Sequence, residues 1–236
     1  MTYLLLFATS AAITLALTPV MRDFFRRMGW VDHPDRRRKL HSTPIPRLGG
    51  FPISIAFFSS LLLLKYLHAS LANIFRQHDA DIYKVLLPSL LILAIGAWDD
   101  IKGASPYAKI AVQVAAAYWL YAQGLSISHI GVPGTTGISM GALALPVTIL
   151  WVVGITNALN LVDGLDGLAS GVAFFAATTM FVVAILQHNI PLALLTAALS
   201  GSTLGFLRFN FNPATVFLGD SGSLFLGFLL ASFSMM

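Results

Sequence analysis

The sequence predicts an all-α membrane protein, a polytopic bundle of about eight transmembrane helices with its N-terminus outside. Three observations carry that expectation. The 236 residues are 57% hydrophobic and only 10% charged, with a mean hydropathy of +0.80. Soluble domains carry about 25% charged residues. Eight apolar segments follow one another near 2–21, 50–67, 83–98, 107–123, 142–158, 168–187, 190–207 and 215–235. Four polar islands sit where those segments begin or end: 98–102, 157–167, 209–214 and 219–223.

Each segment has its own justification. Most can cross a hydrocarbon core about 30 Å thick at about 1.5 Å per residue. The first is read as a retained span rather than a signal peptide, because no Lys or Arg precedes it and its positive cluster follows. The third is short and contains Pro88, so it needs extra residues such as Ile82 and Tyr83, a thin bilayer, or burial among neighbours. The fourth starts near Pro106, which places Lys109 in its first turn. The glycine-rich stretch 124–141 reads as an external loop with a small hairpin. No internal repeat or low-complexity linker interrupts the pattern. A single integral-membrane domain over 1–236 is the economical expectation.

Orientation follows from Lys and Arg. With the loop 22–47 inside, 11 of the 14 basic residues are inside; Lys65, Arg76 and Lys84 are left outside. The same assignment brings all four islands to one face, although it was made from basic residues alone.

Composition also excludes chemistry. The chain has no Cys, which removes disulfides and thiolate metal sites. It has no Glu, so every acid is Asp. Hard cations held by oxygen, or His-bound metals, remain. A net charge of +4 is better explained by topology than by nucleic acid, which is not expected as a partner.

The islands hold five of the ten acids. Carboxylates are costly near hydrocarbon, so a gathering of them at a membrane edge marks a site. Asp99 and Asp100 repel each other unless a cation or proton intervenes, and Lys102 and Lys109 can supply charge. Asn157, Asn160, Asp163 and Asp166 recur at a spacing of three, which puts neighbours on one helix face. Gly164 and Gly167 argue against unbroken helix there. Asp166 is well placed to cap the following helix, Asp163 less so. Asn210, Asn212 and Pro213 form a turn. The run Gly219-Asp220-Ser221-Gly222-Ser223 offers a helix start whose amides suit phosphate. In the basic loop, Pro44, Pro46, Gly49 and Gly50 shape a turn from which Lys39, His41 and Arg47 can face an anionic substrate.

These islands, in this order, resemble the polyprenyl-phosphate N-acetylhexosamine-1-phosphate transferase family (glycosyltransferase family 4). The resemblance covers nearly the whole chain from about residue 30. It implies transfer of a sugar-1-phosphate from a UDP-sugar to a membrane polyprenyl phosphate, with Mg²⁺ and release of UMP; Mn²⁺ is a substitute. Asp99-Asp100 matches the family's paired aspartates, and 157–167 matches its Asn-x-x-Asn-x-x-Asp-Gly-x-Asp-Gly block. Lys109 falls at the family's active-site lysine. Asp220 matches the aspartate tied to Mg²⁺, and Asn160 matches an additional metal contact in some members. The resemblance thus implies Asp99, Asp100, Lys109 and Asp163 as catalytic, and Asp220 and Asn160 as metal ligands. Substrate binding is expected of Lys39, His41, Arg47, Lys102, Asn157, Asp166 and Asn210.

The early loop is similar to the branch that uses UDP-GlcNAc or a close relative and initiates envelope polysaccharides on undecaprenyl phosphate. That places the site on the cytoplasmic face of a bacterial inner membrane. A homodimer is compatible with the resemblance. The family normally continues with further spans and a His-rich cytoplasmic loop, so the chain is expected to be C-terminally truncated. Two rivals follow. One is a non-catalytic fragment of such an enzyme. The other is an ion-coupled transporter, which is disfavoured because the acids sit at one face and none at mid-span.

Overall fold

The computed structural model describes residues 2–32, 44–67, 78–131 and 137–236. Among them are eight α-helices: α1 (Thr2–Met28), α2 (Gly50–Leu67), α3 (Asp79–Lys102), α4 (Pro106–Ala122), α5 (Ala144–Val162), α6 (Leu168–Leu186), α7 (Ile190–Asn210) and α8 (Gly219–Phe233). Every apolar segment of the sequence is therefore a helix. Five of them, α1, α3, α5, α6 and α7, are long and apolar enough to cross a membrane.

Four boundaries differ most from the sequence reading: the first helix runs past 21 to Met28 and the fifth past 158 to Val162, and the third and eighth also shift. The third segment is not short. It runs for 24 residues through Pro88, gaining 79–82 at one end and 99–102, with Asp99 and Asp100, at the other. The eighth helix begins at Gly219 rather than near 215. The preceding residues bend back to the early loop, where Phe217 N–H donates to Pro46 C=O at 2.8 Å.

The described residues also hold two short antiparallel ladders. In one, β1 (Val31–Asp32) pairs with β2 (Ile45–Pro46) and closes the base of the basic loop. In the other, β3 (His129–Ile130) pairs with β4 (Ile138–Ser139), which is the hairpin expected within 124–141.

Burial divides the helices into two shells. The apolar window of α7 is 83% buried, against 22% for α1, so α7 is an inner helix. The other inner helix is α8, in which Ser221 through Phe233 are all buried. It packs against α2, α3, α5 and α6, while α7 packs against α1, α2 and α6. A helix apolar all round belongs in such an interior. The large side chains Phe57, Phe206, Phe225, Phe228 and Phe233 fill the space between them.

Small residues allow the inner helices to approach their neighbours. A Cβ on Gly96 of α3 would meet Asp220 C=O at 2.5 Å, and one on Gly205 of α7 would meet Ala11 C=O at 2.6 Å. Close backbone approach through small residues is the usual mode of helix packing in membranes. Here it brings the start of α8 against the end of α3.

Candidate active site

Four helix ends converge. Asp99 and Asp100 lie in the last turn of α3, Lys109 in the first turn of α4, Asn160 in the last turn of α5, and Asp220 in the first turn of α8. Lys109 Nζ donates to Asp220 Oδ2 at 2.7 Å and to Asp99 Oδ2 at 3.1 Å. Asn160 Nδ2 donates to Asp220 Oδ1 at 3.0 Å and to Ser223 Oγ at 2.8 Å. One ammonium and one amide thus hold the two oxygens of Asp220.

Asp100 does something else. Its Oδ1 accepts from Asp220 N–H and its Oδ2 from Ser221 N–H, both at 2.9 Å. Those amides are orphan donors of a helix start, and a carboxylate there also meets the positive end of the helix dipole. Asp163, which follows α5 as its C-cap residue, accepts from the backbone N–H of Gly219. Burial raises the Asp163 carboxyl to about 8, helped by the negative charges of Asp100 and Asp220. The helix-start amides expected to take phosphate are therefore already held by two carboxylates of the chain.

Gly219 makes this arrangement feasible. Its φ is +69°, and a Cβ there would run into Arg47 C=O and sit 2.8 Å from both carboxylate oxygens of Asp100. Only glycine tolerates both demands.

Asp99, Asp100, Asp163 and Asp220 thus surround the start of α8 with Lys109 among them. Comparison with known proteins fits this arrangement: residues 82–236 match the family model of glycosyl transferase family 4. The chain belongs to that family. It is 34% identical over 231 residues to a probable undecaprenyl-phosphate N-acetylglucosaminyl 1-phosphate transferase of Bacillus subtilis, covering 98% of this chain and 62% of that one. It is 35% identical over 237 residues to a decaprenyl-phosphate N-acetylglucosaminephosphotransferase of Mycobacterium tuberculosis, covering 96% and 58%. It is 34% identical over 241 residues to a phospho-N-acetylmuramoyl-pentapeptide-transferase of Levilactobacillus brevis, covering 95% and 72%. The chain spans about three-fifths of the length of the first two relatives.

Within this member of glycosyl transferase family 4, the remaining expected site residues fall in different places. Asn157 is half-buried on α5, one turn from Asn160, and its Nδ2 donates to Gln113 Oε1 and to Val153 C=O. Arg47 pairs with Asp32, a buried acid on β1, while its own guanidinium stays partly exposed. Lys102 lies over the Trp98 ring, 4.6 Å from its centre, and is not among the partners of Asp99 or Asp220. Lys39 and His41 fall outside the described residues.

Two expectations are corrected. Asp166 does not cap α6: the N-cap is Gly167, and no side chain caps it. Asp166 Oδ2 instead accepts from Ala214 N–H at 2.9 Å and Asn212 Nδ2 at 3.2 Å, tying two islands together. Asn210 is not placed to bind substrate. It is 2% exposed, accepts from Ser170 Oγ at 2.6 Å and donates to Val216 C=O at 3.1 Å. It joins α6, α7 and the approach to α8.

Sequence reasoning passed over Asp32 and Gln113. Asp32 stands just ahead of the Arg36-Arg37-Arg38-Lys39 run, and Gln113 lies one turn beyond Lys109 on the same face of α4. A lone amide four residues after Lys109 in an apolar helix was the available signal, though it belongs to no motif.

Among the described residues, no group of three or more His, Cys, Asp or Glu side chains forms a ready-made metal cage. The donor set still suits a hard cation. Two carboxylates share one ammonium, and Asp163 is raised first by burial and then by the negative charges of Asp100 and Asp220. Mg²⁺ typically takes one or two carboxylates and completes its shell with water and phosphate oxygens.

Proposed function

We propose that the chain transfers a sugar-1-phosphate, GlcNAc-1-phosphate, from a UDP-sugar to undecaprenyl phosphate and releases UMP. The relatives' names motivate the GlcNAc-1-phosphate group and the polyprenyl-phosphate acceptor. The observation that carries the proposal is Lys109 held between Asp99 and Asp220 at the half-buried start of α8. The proposal includes eight crossings with the N-terminus outside, and a site on the cytoplasmic face of a bacterial inner membrane.

The reaction brings two anions together. At about 4 Å and an effective dielectric near 20, each pair of unit charges repels by roughly 4 kcal/mol. Lys109 counters part of that repulsion at the reacting phosphates. Asp99 holds Lys109 in place, its other oxygen fixed by Ala104 N–H at 2.5 Å. Asp100 and Asp163 fix the turn that presents Asp220.

Asp220 and the carbonyl of Asn160 would hold Mg²⁺. When bound, Mg²⁺ supplies charge neutralisation at the pyrophosphate and at the departing UMP.

No general base is needed. A phosphate monoester has its second pKa near about 6, so the lipid phosphate is mostly dianionic at neutral pH. One of its oxygens attacks the β-phosphorus of the UDP-sugar. A new P–O bond forms, the bond to the bridging oxygen breaks, and that oxygen leaves with its electron pair as UMP. Asp99 therefore positions rather than deprotonates.

The test uses detergent-purified protein with UDP-[¹⁴C]GlcNAc and undecaprenyl phosphate. Mg²⁺-dependent appearance of labelled lipid with equimolar UMP is the expected result. Binding of both substrates with no UMP would identify a non-catalytic fragment. UDP-sugar flux across vesicles without UMP would identify a transporter.

A further inference from the structure

Buried Gln113 and half-buried Asn157 form an amide pair one helical turn from the ion cluster. Gln113 follows Lys109 by four residues on α4, and Asn157 precedes Asn160 by three on α5, so both pairs share a face. The amide pair joins the helix that carries Lys109 to the helix that carries Asn160.

One backbone group identifies which atom of each amide is oxygen and which is nitrogen. Val153 C=O can only accept, so the Asn157 atom 2.7 Å from it must be Nδ2. The same Nδ2 reaches Gln113, so the facing Gln113 atom must be Oε1. Two consequences follow. Asn157 Oδ1 accepts no hydrogen bond among the described residues, although the side chain is only half-buried. Gln113 Nε2 is fully buried and has no partner among them.

An orphaned buried N–H is unfavourable for stability, and an apolar side chain of the same shape would avoid it. Gln113 is therefore poorly explained as a packing residue. Its Oε1 is the useful end.

We propose that Gln113 is a positioning residue that locks the Asn157 amide so that its Oδ1 is presented as an acceptor to an O–H or N–H of the nucleotide-sugar donor. This deepens the proposed function and rests on it. A free acceptor of fixed direction discriminates a donor-bearing ligand from one that lacks the group. Without Gln113, Asn157 keeps Val153 C=O as its one fixed partner, and its amide swings off the set direction.

Three variants of the whole chain test this: Gln113→Met, Asn157→Ala, and both together. Thermal stability in detergent, donor affinity by calorimetry with UDP-GlcNAc, and steady-state kinetics are measured for each. Gln113→Met should leave the melting temperature unchanged or raise it. It should weaken donor binding and raise donor KM by about tenfold, with kcat and the polyprenyl-phosphate KM little changed. In the Asn157→Ala background it should add nothing, because it acts only through Asn157.

Additive losses in the double variant, equal losses in kcat and both KM values, or a fall in stability without loss of donor affinity would overturn the proposal. If wild-type protein turns over and Gln113→Met matches it, this inference alone fails. If wild-type protein binds no UDP-GlcNAc, the proposed function fails and takes this inference with it.

Discussion

The aspartates around the start of α8 form two pairs distinguished by the partners they find. Asp99 and Asp220 share the ammonium of Lys109, a side chain on a flexible stem that an incoming phosphate can draw away. Asp100 and Asp163 accept from backbone amides of the first turn of α8, groups that cannot move unless the helix moves. Asp99 and Asp100 are neighbours in sequence, yet they fall in different pairs. Substitution in the Lys109 pair should cost chemistry, and substitution in the amide-bound pair should cost structure.

The largest effect should follow loss of Lys109. Lys109→Met leaves Asp99 and Asp220 facing each other and the substrate phosphates without a cation. A fall in kcat of about 10²–10³ is expected, the size seen when one preorganised charge-stabilising donor is removed. Single-turnover UMP release would measure it. Retained melting temperature in the same variant would sharpen the contrast.

Next comes Asp100→Ala, which strips two amides of their shared acceptor in a half-buried turn. A loss of about 2–3 kcal/mol of stability is expected, with activity falling as the turn relaxes. Asp100→Asn should be milder, because one amide oxygen remains to accept. If Asp100→Ala kept wild-type stability and lost only kcat, the division between the pairs would be wrong.

A smaller effect concerns pH. The Asp163 carboxyl is raised to about 8, against an unfolded value near 3.8. The folded chain therefore holds a proton there that the unfolded chain releases. Without divalent cations, stability should fall as pH rises from about 4 to about 8. Asp163→Asn should flatten that slope, as thermal melts in buffers without metal would show.

The smallest should come from Asp166→Ala. It removes the tie to the exposed Asn212 and to the N–H of the buried Ala214, and should cost about 1 kcal/mol with modest change in kcat. A loss as large as that of Lys109→Met would move Asp166 into the reacting centre.

What the sequence revealed was mostly local. Apolar runs gave eight helices, because the membrane demands length and hydropathy within each segment. The spacing of Asn157, Asn160 and Asp163 was readable because three residues is less than one turn. Pro106 located the start of α4 and so placed Lys109 near Asp99. What was hidden was pairing over distance. Nothing in Asp100 announces that its partners are the amides of Asp220 and Ser221, some 120 residues on. The same ignorance made the α8 start look open to phosphate. Asn210 looked like a substrate contact because a polar residue beside a turn usually faces water. Here α6 and the segment before α8 close over it. Gln113 was overlooked because an isolated glutamine within an apolar helix carries no motif.

The most direct measurement is electron paramagnetic resonance of Mn²⁺ bound to the protein with UDP-GlcNAc, read for phosphorus hyperfine coupling. The coupling should appear in wild-type protein and in Asp166→Asn, and should vanish in Asp220→Asn. Coupling undiminished in Asp220→Asn would mean that the cation and the nucleotide meet away from the start of α8.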